Sequence, residues 1–380
     1  MTGFWAGEDL SPHDIELARR QAMAMPGFVD LASSNPTHQG LFFPAEILRE
    51  AADTYWDTRR YDPDPRGYLP ARAAIAAYYA TRRPPLPLAP DQVFVTASTS
   101  EAYSLLFALL CEPGDNVLGP NVTYPLFEFL AAVHHVELRP YRMVEALGWA
   151  LDEGSLREAA DNRTRAVLLV SPHNPTGKVV TEPVPVLDEL NVAVICDEVF
   201  APFVYRVPAV PPLATLHPHV PVFHLNGISK MFGLPDLKLG WAALNEPALR
   251  GFGDRLELLN DTFLGANSLT QHMLPLLFAR GGPFIEQMVS RVRANLDYAL
   301  AAFSRNERVA VQAPDGGYYL FPEILGMEDE EALVLRLLDA GLSLHPGFFY
   351  GYQQGTHLML SALTEPSLFR AGVDRLCHAL

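Results

Sequence analysis

The feature of this sequence that most limits its fold is the alternation of short apolar runs with helical stretches between residues 90 and 245. Five short runs rich in β-branched or apolar residues are predicted strands: 92–96, 116–118, 166–170, 192–196 and 221–225. Between the first two, residues 100–111 carry apolar side chains at three- and four-residue spacing, which predicts a helix. Strands that alternate with helices in this way indicate an α/β fold whose mainly parallel sheet is covered by helices.

The chain is 380 residues long, which is too much for one compact core and favours two domains. After residue 270 the pattern changes to a long helix through Tyr298, a Pro-Asp-Gly-Gly turn, a strand-like segment at 318–321 and an acid-started helix at 328–339. We therefore expect a large domain at residues 41–270. A smaller α+β domain would combine residues 1–40 with residues 271–380.

Charge and composition narrow the possible partners and the compartment. The formal net charge is −16, so nucleic acid and anionic lipid are poor partners. No run reaches the ~18 apolar residues of a membrane span, and the acidic N-terminus has no apolar signal segment. The three cysteines cannot build a disulfide framework. We expect a cytoplasmic protein with reduced thiols and no membrane partner.

Common catalytic motifs for nucleotides, metals and acyl transfer are absent from the sequence. His217, His219 and His224 stand among prolines without neighbouring cysteine or acidic ligands. This pattern is more typical of a loop with incidental histidines than of a zinc site. The sequence predicts no metal.

Four polar stretches follow predicted strands, where ligands bind in open α/β sheets. Their polar residues are Ser98, Thr99 and Ser100 in the first stretch, Asn174 in the second, Asp197 in the third, and Ser229 and Lys230 in the fourth. Each stretch alone has an ordinary structural reading as a cap, a turn or a surface residue. Together they provide a phosphate cradle, an amide, a carboxylate and an amine, which a phosphorylated pyridine aldehyde requires.

The strings around these residues extend the pattern over nearly the whole chain. They are Val95-Thr96-Ala97-Ser98-Thr99-Ser100-Glu101-Ala102, Glu112-Pro113-Gly114-Asp115, Thr123-Tyr124-Pro125, Ser171-Pro172-His173-Asn174-Pro175-Thr176-Gly177, Asp197-Glu198-Val199-Phe200 and Ser229-Lys230-Met231-Phe232-Gly233-Leu234-Pro235. In order and spacing the sequence resembles the class I/II aminotransferases, which are fold-type I enzymes dependent on pyridoxal 5'-phosphate. The resemblance implies that cofactor and a homodimer with shared active sites.

The resemblance also assigns roles at the cofactor ring. Lys230 would form the Schiff base with the cofactor and carry the substrate's α-proton. Asp197 would pair with the pyridine nitrogen and keep it protonated, which makes the ring an electron sink. Asn174 would donate to the ring oxygen, and Tyr124 would stack on the ring face.

The phosphate would be held by Ser98, Thr99 and Ser100, with Ser229 and Lys238 completing the cup. Tyr61 stands where the family supplies a tyrosine to the neighbouring subunit's phosphate.

Three departures from the family pattern affect the site. Phe200 replaces a tyrosine that donates to the ring oxygen, so that oxygen should be more basic and hold the imine proton longer. Lys238 replaces the phosphate arginine and Gly227 a serine, so bidentate phosphate geometry is lost. Met359 stands where most members carry the arginine that binds the substrate carboxylate.

Arg66, in the string Pro65-Arg66-Gly67, is one candidate to replace that arginine; a surface arginine in a turn is the alternative. Asn35 is a second substrate-binding candidate.

The leading functional hypothesis is an aminotransferase that moves the amino group of an L-amino acid to a 2-oxo acid. A carbon–sulfur lyase that catalyses β-elimination on the same scaffold is the alternative, since the same carbanion can expel a leaving group. An effector-sensing domain of a transcription regulator is a third and remote hypothesis. Five aromatic residues border the substrate in the family and weakly favour an apolar or aromatic side chain, with core packing as the alternative: Phe42, Phe43, Phe348, Phe349 and Tyr350.

Overall fold

The computed structural model describes residues 10–326 and 329–380, so the acidic N-terminal segment and Glu328 considered above lie outside the described residues. The helices in this part of the chain are α1 Asp14–Ala22, α2 Ala45–Thr58, α3 Leu69–Ala80, α4 Thr99–Leu110, α5 Leu126–Val133, α6 Glu153–Ala159, α7 Pro185–Leu190, α8 Leu213–Leu216, α9 Ile228–Met231, α10 Glu246–Thr262, α11 Ser268–Arg280, α12 Gly282–Phe303, α13 Glu330–Asp339 and α14 Pro366–Ala379.

The strands over the same ranges are mostly short outside the central sheet. They are β1 Val29–Asp30, β2 Val93–Thr96, β3 Asn116–Pro120, β4 Glu137–Tyr141, β5 Met143–Val144, β6 Ala150–Leu151, β7 Thr164–Val170, β8 Ala193–Asp197, β9 Val222–Gly227, β10 Gly240–Leu244, β11 Val309–Ala310, β12 Tyr319–Leu320, β13 Glu323–Ile324, β14 Leu342–Ser343, β15 His345–Pro346 and β16 Leu358–Ser361.

A seven-stranded sheet in the order β2-β10-β9-β8-β7-β3-β4 forms the centre of the molecule. The pairs among β4, β3, β7, β8 and β9 are parallel, whereas β10 runs antiparallel to both β2 and β9. All five predicted strands lie in this sheet, each with bounds shifted by a few residues at most. The predicted mainly parallel α/β architecture is confirmed.

Helices cover both faces of the sheet. On one face α4 packs against β2, β9 and β10, and α10 packs beside it. Apolar side chains from the two sheet faces enter two separate core clusters, one of which includes Phe94, Phe223 and Leu225. The strands β7 and β8 are buried along nearly their whole length, as a strand covered on both faces requires.

The chain ends meet in a second α+β region. The N-terminal β1 pairs in parallel with β14, α1 packs on α13, and α12 packs on α14. The strands β12, β16 and β15 form a three-stranded sheet in this region. The smaller domain built from both chain ends remains our proposal. Because α11 packs mainly on α2 and α3, we place the start of its C-terminal part after Arg280 rather than at residue 271.

Among the described residues, none of the helices combines the length and the apolar character needed to cross a lipid bilayer.

Candidate active site

Nine of the ten residues predicted to bind the cofactor line one cavity of about 320 Å³. They are Ser98, Thr99, Ser100, Tyr124, Asn174, Asp197, Ser229, Lys230 and Lys238. The cavity lies at the carboxyl ends of β2, β7, β8 and β9, where Ser98, Asn174, Asp197 and Lys230 follow or end those strands, while Tyr124 follows β3 and Lys238 precedes β10. Side chains separated by up to 140 positions thus meet at one edge of the sheet.

The N-terminus of α4 forms one end of the cavity. Ser98 caps the helix, since its hydroxyl oxygen accepts a hydrogen bond from the Glu101 amide at 3.1 Å. The first-turn amides of Thr99 and Ser100 have no intrahelical acceptor and lie at the positive end of the helix dipole. A Cβ on Gly240 would lie 2.7 Å from the Ser98 carbonyl carbon and from the Thr99 nitrogen. Glycine at this position of β10 therefore lets the turn lie directly against the sheet.

Asp197 ends β8 and is almost fully buried, with 6% of its surface exposed. Its Oδ1 accepts a hydrogen bond from the Val199 amide at 3.0 Å, and its Oδ2 accepts one from the Tyr103 hydroxyl at 2.9 Å. Burial raises the pKa of Asp197 to about 6, and these two hydrogen bonds and the charge of Lys230 partly oppose that rise. A buried carboxylate of this kind suits a cationic ring nitrogen.

The two lysines of the cavity are separated in the sequence by the segment 231–237. Lys230 lies in the short helix α9 directly after β9, and its ammonium group interacts electrostatically with Asp197. Lys238 has a backbone φ of +48°, a left-handed conformation that non-glycine residues seldom adopt. Strain of this kind concentrates at functional sites, so we read the Lys238 conformation as a means of aiming its side chain into the cavity.

Asn174 follows β7 and carries a buried Oδ1 atom with no hydrogen-bond partner in the protein. An orphaned polar atom beside a cavity is costly unless a ligand or water satisfies it. With an amine at Lys230, a carboxylate at Asp197 and helix amides at α4, the donor set fits a phosphorylated pyridine aldehyde.

Sequence reasoning missed three polar lining residues: Ser34, Tyr103 and Tyr319. Tyr103 lies on α4 one turn after the predicted phosphate residues, but in an apolar helix it reads as a core residue. Tyr319 begins β12, directly after the Gly-Gly turn that the sequence does reveal. Burial raises the pKa of Tyr319 above its ordinary value, and a hydrogen bond from Ser34 opposes that rise.

The structure gives Arg66 a different role from the predicted carboxylate clamp. Its guanidinium donates to the Glu257 carboxylate at 2.6 Å and to the Asp91 carbonyl at 2.7 Å, and it lies over the Phe94 ring. Arg66 does not line the cavity. The carboxylate-clamp prediction therefore has no support within one chain, because the Glu257 partner, 191 positions along the chain, engages this arginine outside the cavity.

Asn35 also lies outside the cavity lining, next to Ser34. Its Oδ1 accepts hydrogen bonds from the amide and hydroxyl of Thr37, at 3.1 and 2.8 Å. The oxygen of this side chain therefore stabilises a local turn, and Asn35 remains an unsupported substrate candidate.

The aromatic wall of the cavity differs from the predicted one. None of the five aromatic residues named from the family lines it within one chain. Phe43 is a core residue whose ring contacts Phe232 and Phe284, in agreement with the core-packing alternative. Five other residues supply the aromatic surface: Tyr103, Tyr124, Phe127, Phe200 and Tyr319. Phe200 lies among them, with its ring centroid 4.8 Å from that of Tyr318 and 5.7 Å from that of Tyr319.

Met359 is buried in β16, opposite His345 of β15. Among the described residues, Lys230 and Lys238 are the only cations that line the cavity. Within the described part of one chain, the cavity lining therefore offers a substrate carboxylate no guanidinium, and several of its other polar groups are neutral hydroxyls and an amide.

Tyr61 does not line this cavity within its own chain. Its side chain is 83% exposed and lines a separate surface depression of about 710 Å³ that also contains Trp56 and Leu264. An exposed tyrosine in such a place has no evident role inside one chain.

Two predictions overlap at His224. The structure contradicts the incidental loop histidine and agrees with the strand predicted at 221–225, because His224 lies buried in β9. Its Nδ1 lies 3.5 Å from Glu198, and Cys196 lies close to both. Burial alone would raise the pKa of Glu198, but the charges of Arg82 and His224 outweigh it and lower the pKa to about 2. Arg82 forms hydrogen bonds to both Glu198 oxygens, so we interpret the group as an ion-pair network behind Asp197.

Comparison with known proteins identifies the family of this chain. The sequence profile of the family described as aminotransferase class I and II matches residues 26–377. The chain therefore belongs to this family of pyridoxal-phosphate-dependent enzymes of amino-group transfer.

Individual relatives extend the comparison. The chain is 32% identical to nicotianamine aminotransferase 1 of Oryza sativa subsp. japonica over 226 residues, which is 57% of this chain and 45% of that protein. It therefore spans less than half of that relative's length. It is 28% identical to the tyrosine aminotransferase of Mus musculus over 346 residues, 84% of this chain and 76% of that protein.

The solved structure of alanine aminotransferase from Pyrococcus furiosus superposes with a TM-score of 0.89. At 23% identity, it covers 100% of this chain and 98% of that chain. The fold, family and cofactor predicted from the sequence are confirmed.

Proposed function

We propose that this protein transfers the amino group of an L-amino acid to a 2-oxo acid through the cavity at Lys230. The observation that carries the proposal is the convergence of Lys230, Asp197 and the N-terminus of α4 on one cavity. Nothing in the site favours the carbon–sulfur lyase alternative over transfer.

Bound pyridoxal phosphate supplies an electrophilic carbon and an electron-withdrawing ring. Lys230 supplies the amine that holds this carbon and moves a proton at the substrate's α-carbon. Asp197 holds a proton at the ring nitrogen, and its burial strengthens that ionic pair. The amides of Thr99 and Ser100 bind the phosphate with Ser98, Ser229 and Lys238, while Asn174 orients the ring and Tyr124 covers its face.

The substrate carboxylate would be bound by neutral donors. Ser34, Asn174 and Tyr319 are candidates, because they line the cavity with neutral hydroxyl and amide groups and lie outside the N-terminus of α4. Hydroxyl and amide donors bind a carboxylate less strongly than a bidentate guanidinium. The apolar wall around Phe127 and Phe200 favours a substrate with an aromatic or large apolar side chain.

The active form would be a homodimer in which Tyr61 reaches the neighbouring subunit's phosphate. Trp56 and Leu264 line the same depression as Tyr61 and are 58% and 80% exposed. Phe263, which precedes Leu264 in the chain, is 60% exposed. A patch of this kind marks an interaction surface. The free thiols of Cys111, Cys196 and Cys377 fit a reducing, cytoplasmic location.

A single-turnover screen tests the proposal. Holoenzyme is mixed with one L-amino acid at a time, and the 2-oxo acid formed is measured before an acceptor is added. One equivalent per site, followed by amino transfer to an added 2-oxo acid, supports the proposal. Release of ammonia and pyruvate without an acceptor would favour the lyase and contradict it.

A further inference from the structure

The helix that begins at the cavity also reaches the buried carboxylate. Tyr103 lies on α4, one turn after Thr99, and only 2% of its surface is exposed. Its hydroxyl donates to Asp197 Oδ2 at 2.9 Å, a contact between positions 94 residues apart. The helix thus links the phosphate end of the cavity to its carboxylate end.

The hydroxyl of Tyr103 is held as a donor. Its ring packs against Phe127, with a centroid distance of 4.8 Å, and against Phe107. Burial and the neighbouring Asp197 charge raise the pKa of Tyr103 well above its ordinary value, so the phenol stays protonated through the neutral range. An unionised phenol that donates in this contact stabilises the ionised carboxylate more than its protonated form.

The two oxygens of Asp197 are fixed by different donors. The Val199 amide holds Oδ1 from the strand's own turn, and Tyr103 holds Oδ2 from the helix. Two donors in different elements fix the plane of the carboxylate as well as its charge. With the hydrogen bond from the Val199 amide alone, Oδ2 would lack its tyrosine donor and the carboxylate plane would be less firmly fixed.

We propose that Tyr103 is the positioning residue that keeps Asp197 ionised and aimed at the cofactor's ring nitrogen. The inference rests on the proposed use of Asp197 and concerns a residue that does not itself touch the reacting atoms. Removing the hydroxyl leaves Asp197 buried with one hydrogen-bond donor fewer. The protonated form of Asp197 should then become more populated at neutral pH.

The test compares Tyr103→Phe with Tyr141→Phe in the full-length dimer. Tyr141 is a matched control, because it is equally buried and its hydroxyl donates to the Leu168 carbonyl at 3.0 Å without contacting Asp197. Cofactor affinity is measured by equilibrium dialysis across pH, and kcat/KM is measured across the same range. The unfolding midpoint of each cofactor-free protein measures how much stability the substitution itself removes.

Ionised Asp197 is present above its pKa and is lost as pH falls through it. The hydroxyl's loss should therefore move the acidic limb of both profiles to higher pH by roughly one to two units in Tyr103→Phe. Tyr141→Phe should lower the unfolding midpoint without moving the limb. An unmoved limb in Tyr103→Phe, or an equal movement in both variants, would overturn the proposal.

A near-isosteric replacement covers the case in which Tyr103→Phe does not fold. Site-specific 3-fluorotyrosine at position 103 is a stronger donor of almost the same volume, so the acidic limb should move to lower pH. A limb that stays in place contradicts the proposal. A failure of amino transfer with every amino acid would overturn the proposed function. The role of Tyr103 would still be tested by dialysis, because that measurement needs no substrate.

Discussion

The burial of Asp197 is unfavourable for the cofactor-free protein. Its pKa is raised from 3.8 to about 6, so between these values the folded chain holds a proton that the unfolded chain has released. The stabilisation from that proton is present at acidic pH and is lost as pH rises through this window. At neutral pH, a shift of this size corresponds to a loss of about 3 kcal/mol at most.

Asp197→Asn should therefore stabilise the cofactor-free protein at neutral pH while weakening cofactor binding. The asparagine side chain carries no buried charge. Its Oδ1 can still accept a hydrogen bond from the Val199 amide, and its Nδ2 can donate to the Tyr103 hydroxyl oxygen. Urea unfolding at neutral pH and near pH 4 measures the effect, which should shrink at the acidic pH. The exposed Asp53→Asn serves as a control, and a destabilised Asp197→Asn at neutral pH would contradict this account of the charge.

Lys230 carries the chemistry in the proposed function. Lys230→Ala should lower amino transfer by roughly 10²- to 10⁴-fold, the usual contribution of a positioned proton-transfer group. Lys178→Ala removes a lysine that pairs with Asp315 at 3.2 Å outside this cavity, and it should leave transfer near the wild-type rate. Steady-state kinetics on both cofactor-loaded variants checks this, and equal losses in the two would remove Lys230 from its role.

At the scale of elements, the contact between β10 and the start of α4 sets the shape of the phosphate cradle. In Gly240→Ala the added methyl would meet the backbone of Ser98 and Thr99, which cannot rotate away. Cofactor affinity should fall about 10-fold or more as the helix start is displaced. Isothermal titration of the cofactor-free protein measures it.

Gly251→Ala is the matched control for this substitution. A Cβ there meets nothing within 4 Å, and the position lies inside α10. The change should raise stability by up to about 1 kcal/mol and leave cofactor affinity unaltered. Unaltered affinity in Gly240→Ala would show that the cradle tolerates displacement.

The order of elements explains how much the sequence alone could predict. In a parallel sheet the carboxyl ends of the strands share one edge, so Ser98, Asn174, Asp197 and Lys230 could be placed together from strand order. Tyr103 could not be placed there, because the sequence of an apolar helix is the same whether or not the tyrosine hydroxyl forms a hydrogen bond to a distant side chain.

Contacts between distant segments escaped prediction for a related reason. Nothing local distinguishes Arg66 as a clamp from Arg66 as the partner of Glu257, since the partner is set by how α10 crosses the turn. The prolines around His224 favour a loop, whereas the apolar run at 221–225 favours a strand, and the structure has His224 in β9. Sequence pattern is informative about periodic elements and much less so about which side chains meet between them.

At the scale of the whole molecule, shared sites in a homodimer predict complementation. Tyr61→Phe should be poorly active because it loses a phosphate contact across the interface. Lys230→Ala should be poorly active because it loses the amine. Mixed and reassociated in equal amounts, the two variants should regain about a quarter of wild-type activity, because half the dimers would carry one intact site. Activity after reassociation measures this, with each variant alone as control.

Absence of recovery, with heterodimers present by native mass spectrometry, would mean that Tyr61 acts within its own subunit or has no role in the site.

The most direct test of the central claim follows nitrogen itself. Holoenzyme is incubated with a ¹⁵N-labelled aromatic L-amino acid and an unlabelled 2-oxo acid, and the products are analysed by mass spectrometry beside Lys230→Ala. The account predicts that ¹⁵N appears in the amino acid formed from the 2-oxo acid, and that the variant transfers almost none. Label recovered as free ammonia, or equal transfer by the variant, would contradict it.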